Sequence, residues 1–375
     1  MIVFSHLLND YSGSPRVLYS TIQALKSSQD TLLFIGSQGT GIVDQAGVPT
    51  RRYWYRRSRF RIVTLFTYMI SQLGLYWKLS RAHDIPSGAI VFVNTLLPFA
   101  AMIWGRLTGR IVIVHVHEVS ISPYPLRKLL TYCASRCADR LLYVSADHLS
   151  RLTINEAVSR IVFNPIDQAM QIKQAASRPY APRRSGRFEV LMLTSLKRYK
   201  GLEEFMWLAK GLRDRNDIGF TLVLNAEDDE VAAFVRRHAA SENVTIHART
   251  HDPAAFYITA DLVLNLSRVD EWIETFGLTI LEAMAFGIPV VVPPIGGPAE
   301  IVTDGKEGLY IDSRDGAALR DAVHSLADDP ERMMGMSRAA SRRAADFSFD
   351  SYARQLRNVI EELSGDPSGN EESSS

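Results

Sequence analysis

Cysteine is scarce, with two residues in 375. Cys133 and Cys137 stand four apart in the helical-looking run LLTYCASRCADRLLYV. Such a pair reads as small half-buried side chains rather than a disulfide or a metal site. Without a disulfide framework, a reducing cytoplasm is the expected compartment. Net charge is also nearly missing. The chain carries 42 Lys and Arg against 41 Asp and Glu, formally +1, which argues against a general nucleic-acid binder. No run of about 18 apolar residues occurs, so no spanning helix is expected. The opening MIVFS is strand-like, and no signal peptide is expected. No side chain stands out as a covalent nucleophile.

What is present is the balance of a soluble globular chain, 46% hydrophobic and 22% charged. The length suits two domains. Strand-like and helix-like runs alternate. MIVFS (1–5), TLLFIG (31–36), AIVFVN (89–94), IVIVHVHEVS (111–120), LLYVS (141–145) and RIVFNPID (160–167) read as buried strands, with helices at 17–26, 62–79 and 97–107 between them. The stretch 171–187, rich in Arg, Pro and Ala, reads as a linker. The alternation restarts at FEVLMLT, with further strands at 220–225, 243–248 and 261–267. Two helices fill 315–345 and another spans 347–364. EDDE (227–230) opens a helix, where acids suit the dipole, rather than forming a metal site. The tail 364–375 is low in complexity and expected to be disordered. Strand–helix alternation predicts parallel, doubly wound sheets, whose ligands bind beyond the strands' carboxyl ends.

The stretch 274–300, ETFGLTILEAMAFGIPVVVPPIGGPAE, is the most informative. LTILEAMAF (278–286) is apolar all round except for Thr279 and Glu282, so it predicts a buried helix, stopped by Gly287. IPVVVPP is then a short β-branched strand. An ionised carboxylate at Glu282 is costly there without a partner. Glu274 stands eight residues earlier, before the helix begins. Phe276, Gly277 and Leu278 lie at the helix N-terminus, where free amides and the dipole favour an anion. Two carboxylates flanking such amides suit a ligand with hydroxyls at both ends and phosphate between, as in a nucleotide sugar.

ETFGLTILE, together with AMAFGIPVV and GGPAE beyond it, resembles the E-x7-E motif of the family 4 retaining glycosyltransferases, of the bacterial polysaccharide type. The resemblance is strong over roughly 186–345 and weaker before it. It implies the α/β GT-B fold, two Rossmann-like domains facing each other across a cleft. An acceptor-binding domain over 1–170, a nucleotide-sugar domain over 188–345 and a C-terminal helix over 346–364 packing back on the first are expected. It also implies roles. Glu282 should hold the ribose hydroxyls and Glu274 those of the transferred sugar. The amides of 276–278 and Lys200, in TSLKRYKG, should hold the departing diphosphate. Ser195 stands where Arg is usual, with Lys197 and Arg198 close by, so the second cation is in doubt. The loop with Arg249 and Thr250 is expected near the base. In the first domain, Ser12-Gly13-Ser14-Pro15-Arg16 resembles G-G-x-x-R with Ser12 for one glycine, so Gly13 and Arg16 are candidates against donor and acceptor; a plain turn and N-cap is the other reading. His117 best matches the histidine that approaches sugar and acceptor, with His115 beside it. NPID resembles N-G-V-D, with Pro165 for glycine. No metal or cofactor is required on this reading.

RRYWYRRSRFR (51–61) holds six Arg and four aromatics in eleven residues, ahead of the apolar run 62–79. This fits either an interfacial helix with a basic flank or a core-facing helix after an Arg-rich loop. The expected partners are a nucleotide-diphosphate sugar, a glycan or lipid-linked acceptor in cell-surface polysaccharide synthesis, and, on the first alternative, an anionic membrane at the inner face of the cytoplasmic membrane. Two other readings stay open. One is an epimerase or phosphorylase on the same fold. The other is a non-catalytic assembly subunit, motivated by Ser195.

Overall fold

The computed structural model describes residues 1–238, 241–250 and 252–365. The chain divides into two compact units, 1–165 with the C-terminal segment from Phe349, and Ile166–Ser348. The expected disordered tail lies outside the described residues except for its first two.

Unit 1 is a seven-stranded parallel sheet. Its strands are β1 (Ile2–His6), β2 (Thr31–Gly36), β3 (Thr50–Tyr53), β4 (Ile90–Asn94), β5 (Val112–Val116), β6 (Arg140–Tyr143) and β7 (Ser159–Ile161), in the order β3-β2-β1-β4-β5-β6-β7. The order reverses between β1 and β4, the switch point where such sheets bind ligands. Both faces are covered. Val3, Val91, Val93 and Val114 point to one core, while Ile2, Phe4, Phe92 and Ile113 point to the other. The second core is closed by helices Gly13–Leu25 and Phe349–Ser364. The C-terminal helix buries Phe349, Tyr352, Leu356, Val359 and Ile360 at helical spacing, and its Tyr352 hydroxyl meets Thr21 Oγ1 at 2.6 Å.

Unit 2 is a six-stranded parallel sheet. Its strands are β8 (Phe188–Thr194), β9 (Ile218–Leu224), β10 (Val244–His247), β11 (Leu262–Leu264), β12 (Val290–Val292) and β13 (Gly308–Tyr310), in the order β10-β9-β8-β11-β12-β13. Its switch point lies between β8 and β11. Helix Leu278–Ala285 runs between β11 and β12 with Ile280, Leu281, Ala283 and Met284 fully buried.

Three expectations need correction. The first helix starts at Gly13 rather than 17, because a proline in the first turn loses no intrahelical hydrogen bond and Pro15 does not block it. The stretch 171–187 is not a free linker. Asp167 caps helix Gln168–Ala176 through the amides of Ala169 and Met170. Beyond it, Asp261 accepts from the Arg183 amide at 2.7 Å, and its carbonyl accepts from the Tyr180 hydroxyl at 3.0 Å. These bonds fix the segment to unit 2. Residues 51–53 of the Arg-rich stretch 51–61 lie not in a loop but in edge strand β3, where the charged Arg51 and Arg52 discourage a further strand from pairing.

Candidate functional site

At the carboxyl edge of unit 2, the loops after β8 and β11 meet at the switch point. Lys200 follows β8 and its Nζ lies 2.5 Å from Glu274 Oε2. Both side chains are mostly covered, at 19% and 16% exposure. Ser267 Oγ donates to the same carboxylate oxygen at 3.4 Å. Tyr199 and Trp272 stack with centroids 5.1 Å apart, and the Lys200 ammonium lies 5.9 and 5.8 Å from their rings. The lysine is therefore held by a carboxylate and by two π faces. Trp272 Nε1 is buried without a partner among the described residues.

The glycines of this stretch do steric work. Gly277, at φ 105°, caps helix Leu278–Ala285 in a conformation that L side chains rarely adopt. A Cβ at Gly297 would lie 2.1 Å from the Thr275 carbonyl oxygen, so only glycine lets that loop press against 274–276. The Gly297 amide donates to the Glu274 carbonyl at 2.9 Å, fixing the carboxylate's backbone. Leu278 and Thr279 begin the helix without a side-chain cap, and the Ile280 amide already donates to the Gly277 carbonyl at 3.0 Å.

Glu282 lies one turn into this helix, 3% exposed. Its Oε2 accepts from the Tyr257 hydroxyl at 2.8 Å, which answers the need for a partner inside an apolar helix. Arg249 follows β10. Its Nε donates to Asn225 Oδ1 at 2.7 Å and its guanidinium pairs with Glu227 at 2.6 Å. Ser195 directly follows β8 and is partly buried. Of its two neighbouring cations, Arg198 is paired with Glu271 at 3.0 Å, whereas Lys197 has no carboxylate partner among the described residues.

Unit 1 gathers a second polar cluster at its own switch point. His117 Nε2 lies 3.0 Å from Asn94 Oδ1. Asn94 Nδ2 reaches His6 Nδ1 at 3.2 Å and donates to the Ser14 carbonyl at 3.1 Å. The first turn of helix Gly13–Leu25, which holds Gly13 and Arg16, is thereby tied to the same place. Gly13 is exposed and Arg16 half-buried. Glu118 accepts from the amides of Leu96 and His117, and the ring of His115 lies 4.3 Å from that of His117. Both ring nitrogens of His115, Nε2 of His6, and both side-chain polar atoms of Asn9 are buried without partners among the described residues. Thr95, between these groups, holds φ 72°, an outlier for a β-branched residue and a mark of local strain. Burial pushes the Glu118 carboxyl up and His117 well down. It pushes His115 down to about 3, with His148 adding repulsion.

The cluster thus keeps its histidines neutral, with a testable cost. Unfolded histidine takes its proton near pH 6.5, whereas folded His115 refuses it until about 3. Stability is therefore unaffected above that window and falls as the pH drops through it, by about 1.4 kcal/mol per pH unit for such a histidine. His115→Phe should flatten the slope of unfolding free energy between about pH 6.5 and pH 4.5 by about that amount. Denaturant titrations at several pH values measure it, and an unchanged slope would show that the ring is not held neutral.

Sequence reasoning missed Tyr257, Ser267, Trp272 and Asn94. The first lies 25 residues before its partner Glu282, and no local spacing marks it. The aromatic pair at 199 and 272 lies still further apart in sequence.

The two parallel-sheet, Rossmann-like units define a GT-B fold. The solved structure of Anabaena Alr3699/HepE in complex with UDP-glucose matches 97% of this chain and 99% of its own, with a TM-score of 0.76 at 19% identity. Sucrose-phosphate synthase from Thermosynechococcus elongatus matches 96% and 98%, with a TM-score of 0.75 at 17% identity. At such identities the likeness carries the fold. Within it, residues 173–343 match the family described as Glycosyl transferases group 1. D-inositol 3-phosphate glycosyltransferase of Arthrobacter sp. (strain FB24) is 30% identical over 177 residues, 45% of this chain and 41% of that relative. Glycogen synthase of Mycobacterium tuberculosis (strain CDC 1551 / Oshkosh) is 28% identical over 75% of this chain and 64% of its own length. The chain spans less than half the length of the first three D-inositol 3-phosphate glycosyltransferases it matches.

Proposed function

We propose that the protein is a retaining glycosyltransferase of family 4, moving a sugar from a nucleotide-diphosphate sugar to a glycan or lipid-linked glycan. The observation that carries this reading is the covered Lys200–Glu274 pair just before helix Leu278–Ala285, whose N-terminus no side chain caps. One cation and the helix N-terminus receive the charge that develops on the departing diphosphate, in a place where preformed dipoles need not reorganise. Glu274 is then free to exchange its lysine contact for hydroxyls of the transferred sugar. Glu282, braced by Tyr257, binds the ribose hydroxyls, and Arg249 lies toward the base. Lys197 takes the place of the cation that Ser195 does not supply. In unit 1, His117 and Asn94 orient the acceptor hydroxyl, with Gly13 and Arg16 beside them. The acceptor oxygen replaces the diphosphate oxygen on the same face of the anomeric carbon.

The matched family model over unit 2 and the UDP-glucose held by a neighbour of the same fold support a nucleotide sugar as donor. We also read the protein as cytoplasmic, serving cell-surface polysaccharide synthesis with peripheral membrane contact. A thermal-shift screen of nucleotide sugars, followed by a transfer assay with the best donor, tests the assignment. A donor-induced rise in melting temperature and release of nucleoside diphosphate are expected, with turnover persisting in chelator. Binding without turnover on any acceptor would favour the assembly-subunit reading. Interconversion of the nucleotide sugar without transfer would favour the epimerase.

A further inference from the structure

Helix Arg61–Ser80 of unit 1 is built inside out. Its buried face carries the polar side chains Ser71 and Gln72, with Tyr68, Leu75 and Leu79. Tyr68 donates its hydroxyl to the Leu97 carbonyl at 2.6 Å, and Gln72 Oε1 accepts from the Ala100 amide at 3.3 Å. The solvent face carries Ile62, Phe66, Ile70, Leu73 and Trp77, successive steps of four and three residues along one side. Ile62 is 84% exposed, Phe66 66%, Leu73 73% and Trp77 54%. A helix of a soluble domain normally shows the reverse pattern, and so long an apolar stripe marks an interaction surface.

The flank of the stripe is basic. No Asp or Glu occurs between Asp44 and Asp84, a span with seven Arg and one Lys. Arg51 and Arg52 are paired with those two terminal acids, at 2.6 and 2.5 Å. Arg56, Arg57, Arg59 and Arg61 have no carboxylate partner among the described residues. Thr67 Oγ1 donates to the Arg56 carbonyl at 2.7 Å, and Thr64 Oγ1 to the Ser58 carbonyl at 2.9 Å. These bonds fold the basic loop against the first two turns, so cations and apolar stripe lie side by side. A symmetric contact with a second copy through this face would set the same cations against one another. A bilayer with anionic headgroups accepts both parts, apolar rings below the headgroups and guanidiniums among them.

We infer that this face docks the protein on an anionic lipid surface and that the acceptor is accordingly lipid-linked. The second half rests on the proposed acceptor role of unit 1. Strand β3 leaves the sheet at its carboxyl end, and the basic loop and the helix start follow there. His6, Asn94 and His117 lie at that same end. An acceptor headgroup reaching the histidine cluster would thus come from the bilayer on which the helix lies.

The test is sedimentation of the full chain with phosphatidylcholine vesicles, with and without phosphatidylglycerol, at low and high salt. Wild type should sediment with the anionic vesicles alone, and salt should release it. Replacing the four unpaired arginines, Arg56, Arg57, Arg59 and Arg61, by glutamine should weaken vesicle binding at least tenfold, and so should Phe66→Ser with Leu73→Ser. Both variants should keep the wild-type circular dichroism and melting temperature. Absence of wild-type binding at low salt would overturn the inference. So would vesicle binding that the two serines leave unchanged, or a dimer in light scattering that they abolish. Calorimetry with a nucleotide sugar on the same variants separates this outcome from failure of the glycosyl-transfer reading, since donor affinity should not move.

Discussion

Glu274→Ala is expected to lower kcat by about 100- to 1000-fold while a nucleoside diphosphate binds within about threefold of its wild-type affinity. The asymmetry follows from where the carboxylate stands. It precedes helix Leu278–Ala285, is held by Ser267 and Lys200, and has its backbone fixed by the Gly297 amide. On the proposed reading a group at the helix mouth meets the reacting sugar rather than the nucleoside, where contacts count most as positive charge develops at the anomeric carbon. The loss corresponds to about 3–4 kcal/mol of transition-state stabilisation. Lys200 stays in the variant, released from its carboxylate and still able to meet phosphate. Lys200→Ala should reverse the pattern, weakening the diphosphate and slowing its departure together. The double variant should lose less than the sum of the singles, because the two groups share one contact. Steady-state kinetics with calorimetry on the three variants checks this; equal losses of diphosphate affinity in Glu274→Ala and Lys200→Ala would contradict the division of roles.

Glu282→Ala should weaken both donor and free nucleoside diphosphate, by about 1–3 kcal/mol, the range for hydrogen bonds to a charged group. The carboxylate is nearly inaccessible from the protein's exterior and already accepts from Tyr257. On the proposed reading its removal takes the ribose contact and the brace of a buried hydroxyl together. Tyr257→Phe separates the two. It leaves the carboxylate in place without one hydrogen bond, so affinity should fall less than in Glu282→Ala while kcat stays near wild type. If Tyr257→Phe costs as much affinity as Glu282→Ala, the glutamate acts through packing and not on the ribose.

The buried strands were legible because both faces of these sheets are covered. Runs such as IVFSH and IVFVN then need no alternation and stand out against polar loops. Edge strand β3 was illegible for the complementary reason: its Arg-rich TRRY has little apolar burial to report. The run 62–79 read clearly as a helix, but which face it buried could not be read, since Ser71 and Gln72 look like breaks in an apolar pattern until their burial and the Gln72 contact with residue 100 are seen. The same limit applies to the sites. Glu274, Glu282 and Lys200 were singled out as candidates through two local motifs, whereas the 2.5 Å contact between residues 200 and 274 and the brace from Tyr257 join positions that only the sheet order brings together. His115 was seen as a neighbour of His117. Its complete burial, with both nitrogens unpartnered among the described residues, was not.

The most direct test of the central claim is proton NMR of the product formed from an α-linked nucleotide sugar. The anomeric coupling of the new glycosidic bond is read directly in the product, because a glycoside does not mutarotate. An α-linked product is expected, formed at undiminished rate in the presence of chelator and lost in Glu274→Ala. A β-linked product would contradict the claim.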